Sequence, residues 1–427
     1  MARKMKDSGI EWIGEIPEGW EVVPVRSCFD EVRTKNTDGQ EQNALQFKSG
    51  NIISKANFNA NIDDYVADTI TNYTVVLPDT VMINGLNLNY DFKSLRVALV
   101  KEKGVITSAY LAIFPDRKKI FPQYATYLFK GYETKMAFHN MGAGIRKTLG
   151  YKEFKNQPLL LPSKEEQNKI SAYLDSKCSH IDIILSKIRS SIEEYKKLKQ
   201  AVITQAVTKG VRGKREMKDS GVEWIGDIPK EWVCEKIKYA TSISRGLFNH
   251  RPRNDERYYN GKYPFIQTGD VANATKYIVS YSQTLNELGK SVSKEFPKGT
   301  LTMTIAANVG DVAILNFDAY FPDSVVGFIP NKNIRTLYLF YVFSAMKDEF
   351  IRTAIKSTQL NLNIDRVKET FIPVTLNVNE QCEIENYLES KCAEIDGLIA
   401  KKEQLVKELE SYKKSLIYEV VTGKREV

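Results

Sequence analysis

Catalysis needs a nucleophile, a proton-transfer group or a bound metal held at fixed spacing, and these 427 residues offer few such sets. Pro78-Asp79 with Asp91-Phe92-Lys93, and Pro115-Asp116 with Glu133-Thr134-Lys135, echo the carboxylate-lysine arrangement by which nucleases hold Mg²⁺. Patterns this short arise often by chance, and neither recurs. There is no GxxxxGK[ST] phosphate loop, no GxGxxG dinucleotide turn and no HExxH zinc helix. Without any Pro-Pro, the Asp/Asn-Pro-Pro-aromatic tetrapeptide of adenine methyltransferases is also missing. The five cysteines are scattered with no CxxC, and His139, His180 and His250 are the only histidines, so a zinc cluster of usual spacing is not expected. Cys178 and His180 lie two apart in a helical pattern and face different ways. What remains is binding chemistry. The formal charge is +8, from 61 Lys and Arg against 53 Asp and Glu, spread along the chain, which permits a polyanionic partner. The densest basic cluster, Arg245-Gly246-Leu247-Phe248-Asn249-His250-Arg251-Pro252-Arg253, sets three guanidinium groups beside a flexible glycine and an aromatic.

The elements that position these groups are written twice. Met5 to Trp20, MKDSGIEWIGEIPEGW, returns at Met217 to Trp232 as MKDSGVEWIGDIPKEW, an offset of 212. A second pair follows at an offset of 214: Glu166-Gln167, Ile170, Tyr173-Leu174, Ser176-Lys177-Cys178 and Ile181-Asp182 recur as Glu380-Gln381, Ile384, Tyr387-Leu388, Ser390-Lys391-Cys392 and Ile395-Asp396. Approximate two-fold symmetry is therefore expected. Residues 21–162 and 233–378, between these repeats, share only a faint skeleton. Both hold short β-branched and aromatic runs broken by Gly, Asn, Asp and Pro, such as Tyr73 to Leu77, Arg96 to Val100 and Asp311 to Leu315. Each is followed by an aromatic-rich helical stretch, Tyr124 to Met136 and Leu337 to Phe350, which favours an α+β domain.

The second repeat opens a long helix. Leu174, Ile181, Ile188, Tyr195 and Val202 recur every seven residues, with Cys178, Leu185, Ile192 and Ala206 alongside, and neither Pro nor Gly falls between Lys164 and Lys209. Leu388, Ile395, Leu409 and Leu416 form the matching column in the second half, broken once at Lys402. This is a coiled-coil seam on rods of roughly 65 Å, longer than a small domain is wide. Antiparallel pairing of the two rods buries both seams. One mismatch stands out: Tyr195-Lys196-Lys197 and Tyr412-Lys413-Lys414 look alike yet lie 217 apart.

The doubled opening motif, the doubled Glu-Gln helix starts and the Tyr-Lys-Lys to Val-Thr helix ends resemble the specificity subunits of type I restriction-modification systems, over the whole chain. Met82 to Asn89 and Ala306 to Ala313 also look like segments of that family's DNA-reading domains. The resemblance implies an α+β fold: two pseudo-symmetric mixed α/β target recognition domains joined by two long antiparallel coiled-coil helices. The expected division is a target recognition domain over 1–162, a spacer helix over 163–210, a second recognition domain over 211–378 and a second spacer helix over 379–427. It further implies a non-catalytic subunit that reads a bipartite, asymmetric site in double-stranded DNA. Such a subunit carries no cofactor. S-adenosylmethionine is expected on two methylation subunits, and ATP and Mg²⁺ on two restriction/translocase subunits. No apolar stretch reaches the ~18–20 residues of a membrane span and the charged opening lacks a signal-peptide core, so the expected location is cytoplasmic with no membrane partner. Two rivals are a self-sufficient restriction-modification enzyme, disfavoured by the missing tetrapeptide, and a degenerate coiled-coil scaffold that binds methylation subunits without reading sequence.

Base edges are read by Arg or Lys on guanine and Asn or Gln on adenine, and phosphates by cations. The loops supply Lys48, Asn51, Asn84, Asn87, Asn89, Lys93, Arg96, Arg146 and Lys147 in the first half. In the second they supply Arg245, Arg251, Arg253, Arg257, Gln267, Thr268, Asn308, Gln359, Asn361 and Asn363. The second half has Gln359-Leu360-Asn361-Leu362-Asn363 ahead of its long helix where the first has Gly144-Ile145-Arg146-Lys147-Thr148-Leu149, so a role there does not transfer directly. The repeated Trp12, Trp20, Trp224 and Trp232 are expected to be anchors of the constant frame.

Overall fold

The computed structural model describes residues 3–48, 50–55, 70–92, 95–145, 147–353, 355–356 and 360–427. They divide into two units, Met1–Arg189 with Glu403–Val427, and Ser190–Lys402. Lys93, Arg146 and Gln359 lie outside the described residues.

Each unit carries the repeated motif, folded as a hairpin of identical register: Met5–Asp7 pairs with Glu15–Pro17, and Met217–Asp219 with Asp227–Pro229. The Asp-Ser-Gly triplet makes the turn. The Asp7 carboxylate accepts the Gly9 N–H at 2.9 Å and the Asp219 carboxylate the Gly221 N–H at 2.9 Å. Gly9 and Gly221 both sit at φ +70°, where a Cβ is strained, so this turn selects glycine. Ile16 and Ile228 point inward, and Trp20 and Trp232 are each 1% exposed.

The next strand, Glu21–Pro24 or Val233–Lys236, pairs antiparallel with the last strand before the long helix, Pro158–Leu161 or Phe371–Val374. Each module is thereby closed at its own base. Inside the first module, Phe29–Glu31, Leu111–Pro115, Val81–Ile83 and Val97–Leu99 form an antiparallel sheet in that order. The second module repeats the order with Thr241–Arg245, Val325–Pro330, Leu301–Thr304 and Val312–Leu315, and adds Tyr277–Ile278 in parallel. The aromatic stretches form helices Pro122–Thr134 and Thr336–Ala345 and bury Tyr124, Leu128, Phe129 and Tyr132, or Tyr338, Leu339, Val342 and Phe343, in the two main cores. Beyond this skeleton the modules diverge. The second carries a further four-stranded sheet, Gln283–Leu285, Tyr259–Phe265, Ala319–Tyr320 and Glu295–Phe296, while the first has the hairpin Leu45–Lys48 with Asn51–Ser54.

The long helices run over Lys164–Lys209 and Val378–Val421. In the first unit Lys413 reaches Asp182 at 2.7 Å and Arg189 pairs with Glu410. In the second, Lys199 reaches Asp396 at 2.7 Å and Tyr195 meets Lys402. Within each unit, rising numbers on one helix meet falling numbers on the other, so the segments pair antiparallel. Leu174, Ile181, Leu388, Ile395 and Leu416 are buried in the seam, and Ile188, Tyr195, Val202 and Leu409 are half-buried. Lys402, the break in the column, lies 5.5 Å from the centre of the Tyr195 ring, a cation–π contact that accommodates its charge. The two Lys–Asp pairs are related by the 214 offset, so Tyr195 corresponds to Leu409. The Tyr-Lys-Lys likeness at 217 is a coincidence of type, since Tyr412 is 49% exposed.

Candidate nucleic-acid interface

The constant part of each unit is a set of side chains fastening module to helix. Glu166, in the first turn of the first long helix, accepts the Trp20 indole N–H at 3.3 Å and pairs with Arg3. Glu380 accepts from Trp232 at 3.2 Å and pairs with Arg215 at 2.6 Å. Arg3 and Arg215 lie over those same rings, at 5.5 and 5.4 Å. The glutamines that follow grip the modules by main-chain atoms. Gln167 Oε1 accepts the Phe121 N–H at 2.8 Å while Nε2 donates to the Lys119 and Pro162 carbonyls at 3.1 and 3.0 Å. Gln381 Oε1 accepts the Arg335 N–H at 2.8 Å while Nε2 donates to the Asn333 and Thr375 carbonyls at 2.8 and 2.7 Å. Cys178 and Cys392 are buried on the seam, and burial pushes both thiols up, opposite to what a nucleophile needs. Among the described residues no three or more His, Cys, Asp or Glu are grouped to hold a metal ion. Asp79 of one nuclease-like pattern pairs with Arg117, and Glu133 of the other sits on helix Pro122–Thr134.

The variable part is a pair of loop clusters in corresponding places. In the first unit the loop after Val81–Ile83 carries Asn84, Asn87 and Asn89 and is joined to a second segment, with Leu149 N donating to Gly85 O at 2.9 Å and Leu88 N to Lys147 O at 3.0 Å. A Cβ on Gly85 would stand 2.4 Å from the Leu149 carbonyl oxygen, so this approach requires glycine. In the second unit the loop after Leu301–Thr304 carries Asn308 and meets Asn361 to Asn363 through Leu362 N on Ile305 O, again at 2.9 Å. Leu149 and Leu362 are therefore counterparts, both buried, despite the unlike residues before them.

Sequence-selected groups occupy these clusters unevenly. Asn87, Lys147, Asn308 and Asn361 are exposed on them. Asn84 Oδ1 accepts Leu86 N at 3.1 Å, Asn89 Nδ2 donates to the Ile145 carbonyl at 3.1 Å, and Asn363 caps helix Ile364–Glu369 by accepting Asp365 N at 2.8 Å. These three amides shape their own loops. Lys48 and Asn51 face each other across the exposed hairpin of the first module. Arg96, expected to face DNA, is instead 1% exposed, and its guanidinium donates to main-chain carbonyls.

The basic cluster of the second unit is held by two carboxylates. Asp323 pairs with Arg253 and stands 3.8 Å from Arg251, while its carbonyl accepts Arg245 Nε at 2.5 Å. Asp255 takes Arg257 at 2.7 Å and His250 at 2.9 Å, and the Arg257 guanidinium holds its carboxyl well below the usual carboxylate range. The cluster adjoins the Asn308 loop, since Ile305 N donates to Ser324 O at 2.9 Å, one residue from Asp323. Gln267 binds Gln283 at 2.9 Å, and Thr268 starts helix Thr268–Asn273. Spacing gave no sign of Asp323, which lies 70 residues from Arg253. It also missed the exposed apolar tips Tyr90, Phe92 and Ile145, the last 95% exposed, although apolar residues in a loop between polar ones were the available signal.

A family model for the type I restriction modification DNA specificity domain matches residues 243–408. That stretch of the chain is similar to the specificity domain. Two relatives agree along nearly the whole length, both from Methanocaldococcus jannaschii. The putative type I restriction enzyme MjaX specificity subunit is 24% identical, covering 96% of this chain and 95% of its own. The MjaVIII specificity subunit is 23% identical, covering 96% and 93%. A solved chain from work on complex assembly and conformational transition of the type I R-M system shares the fold at TM-score 0.71 and 15% identity, covering 96% of this chain and 99% of that one. The matched region begins in strand Thr241–Arg245 and ends within the second long helix, so it takes in the basic cluster and the Asn308 loop.

Proposed function

We propose that the chain is the non-catalytic DNA-recognition subunit of a type I restriction-modification complex. Residues 1–162 and 211–378 act as target recognition domains, each reading one half of a bipartite, asymmetric site. Residues 163–210 and 379–427 act as the spacer between them. Two methylation subunits carrying S-adenosylmethionine supply adenine N6-methylation, and two ATP-driven, Mg²⁺-dependent restriction subunits supply cleavage. The chain itself holds no cofactor. Lys48, Asn51, Asn87, Lys147, Arg245, Arg251, Arg253, Arg257, Gln267, Thr268, Asn308 and Asn361 carry the DNA contacts.

The observation that carries this reading is the contrast between frame and loops. The same Trp–Glu–Arg and Gln fastenings recur in both units, as a partner present in two copies requires. The loops at corresponding places carry different amides and cations, as two unlike half-sites require. The test is to co-express the chain with a matching methylation subunit and map N6-methyladenine across the host DNA at single-base resolution. One split motif with methylated adenines on opposite strands is the expected result. A stable complex without any methylated motif overturns sequence reading, and methylation by the chain alone overturns the absence of catalysis.

A further inference from the structure

Residues 84–91, which leave strand Val81–Ile83, form neither helix nor strand, yet they follow a defined path, and a single buried side chain accounts for much of it. Arg96 lies just ahead of the returning strand Val97–Leu99. Its Nη1 donates to the carbonyl oxygens of Asn84 at 2.9 Å and Leu86 at 2.8 Å, and its Nη2 to the carbonyl of Asp91 at 2.5 Å. The Asp91 carboxylate stands 3.7 Å away and offsets part of the charge. Arg96 is fixed in turn through its own main chain: its N–H is taken by the Glu133 carboxylate, and its carbonyl accepts Asn84 N at 2.8 Å. His139 Nε2 lies 3.1 Å from the Asp91 oxygen and its ring stacks on Phe92. Both ends of the segment 84–91 are thus tied to one guanidinium. Between them, Asn87 sits at φ +53° and is exposed at the turn.

A planar guanidinium presents several donors in a rigid fork, so it fixes three carbonyl oxygens in direction as well as distance; an ammonium offers no such fork. We propose that Arg96 is a positioning residue for specificity: it sets the path of the first unit's reading loop from within and touches no DNA atom. The proposal rests on reading that loop as a DNA-reading element. Its distinguishing consequence is that several base positions depend on Arg96 together, whereas a direct contact governs one.

The test uses the full chain with its methylation subunit, as wild type, Arg96→Lys and Arg96→Met. Binding is measured to duplexes mismatched singly at each position of both half-sites, over a range of salt. The expected result is that discrimination falls roughly tenfold or more at two or more positions of one half-site in both variants, because Lys does not restore the fork. The other half-site keeps its discrimination and serves as the folding control. The salt dependence stays unchanged, since no phosphate contact is lost. Unchanged discrimination in Arg96→Lys, equal loss in both half-sites, or a salt slope reduced by about one each overturns the proposal. A wild-type complex that discriminates at neither half-site overturns instead the reading on which it rests.

Discussion

Replacing Gln381 by alanine strands three main-chain groups at once. The Thr375 carbonyl is buried; the Asn333 carbonyl and the Arg335 N–H are partly buried. An unpaired buried group costs roughly 1–3 kcal/mol and a partly buried one nearer 1 kcal/mol, so the substitution costs about 3–5 kcal/mol, a large share of a domain's net stability. Gln167 makes the same three bonds with the same distribution of burial, so Gln167→Ala carries the same loss in the other unit. The assay is urea unfolding followed by tryptophan fluorescence, because Trp20 and Trp232 are bonded to the neighbouring Glu166 and Glu380 and report each unit locally. If the units unfold separately, each variant shifts only its own transition. Losses under about 1 kcal/mol, or losses that differ between the two variants by more than about 2 kcal/mol, refute the claim that these glutamines are equivalent fasteners.

Burial pushes the Glu133 carboxyl up from 4.5 to about 7, against the opposing hydrogen bond from Arg96 N. The raised value means that the neutral form stabilises the native state fully below the ordinary carboxyl range, and that this contribution is lost as pH rises through about 7. The whole swing is about 3 kcal/mol. Glu133→Gln therefore matches wild type in unfolding near pH 4.5 and exceeds it by up to about that amount at pH 8; parallel pH profiles sink the assignment. Lys199–Asp396 and Lys413–Asp182 are solvent-facing, so Asp396→Asn or Asp182→Asn shifts stability by less than about 1 kcal/mol, and by less still in 1 M salt. A larger shift in thermal unfolding shows that these pairs do more than decorate the helix surface.

Legibility in the sequence followed the physics of each part. The doubled opening motif, the Glu-Gln starts and the seam were readable because each is a local pattern applied twice, and a seven-residue apolar period makes its own stripe; that the opening motif folds as a hairpin was not foreseen. The α+β class followed from short β runs before aromatic helical ones. The loops were not readable, because there the partner of a polar side chain is chosen by the fold. Arg96 and Arg253 look alike in one dimension; one is enclosed by three carbonyls and the other is exposed against a distant aspartate. Asn84, Asn89 and Asn363 carry the right amide for adenine, and each spends part of it on its own backbone. The Tyr-Lys-Lys mismatch noted in the sequence has the opposite cause, since composition repeated where register did not.

The two glutamines hold their modules by peptide atoms alone, at Lys119, Phe121 and Pro162 in one case and Asn333, Arg335 and Thr375 in the other. A grip on peptide atoms is blind to the letters of the genetic text. The residues it touches differ in every instance between the halves, and the bonds are the same. Mutation can thus rewrite a module freely, even at its joints, without loosening its seat, and a lineage can try new vocabularies while keeping one grammar of assembly.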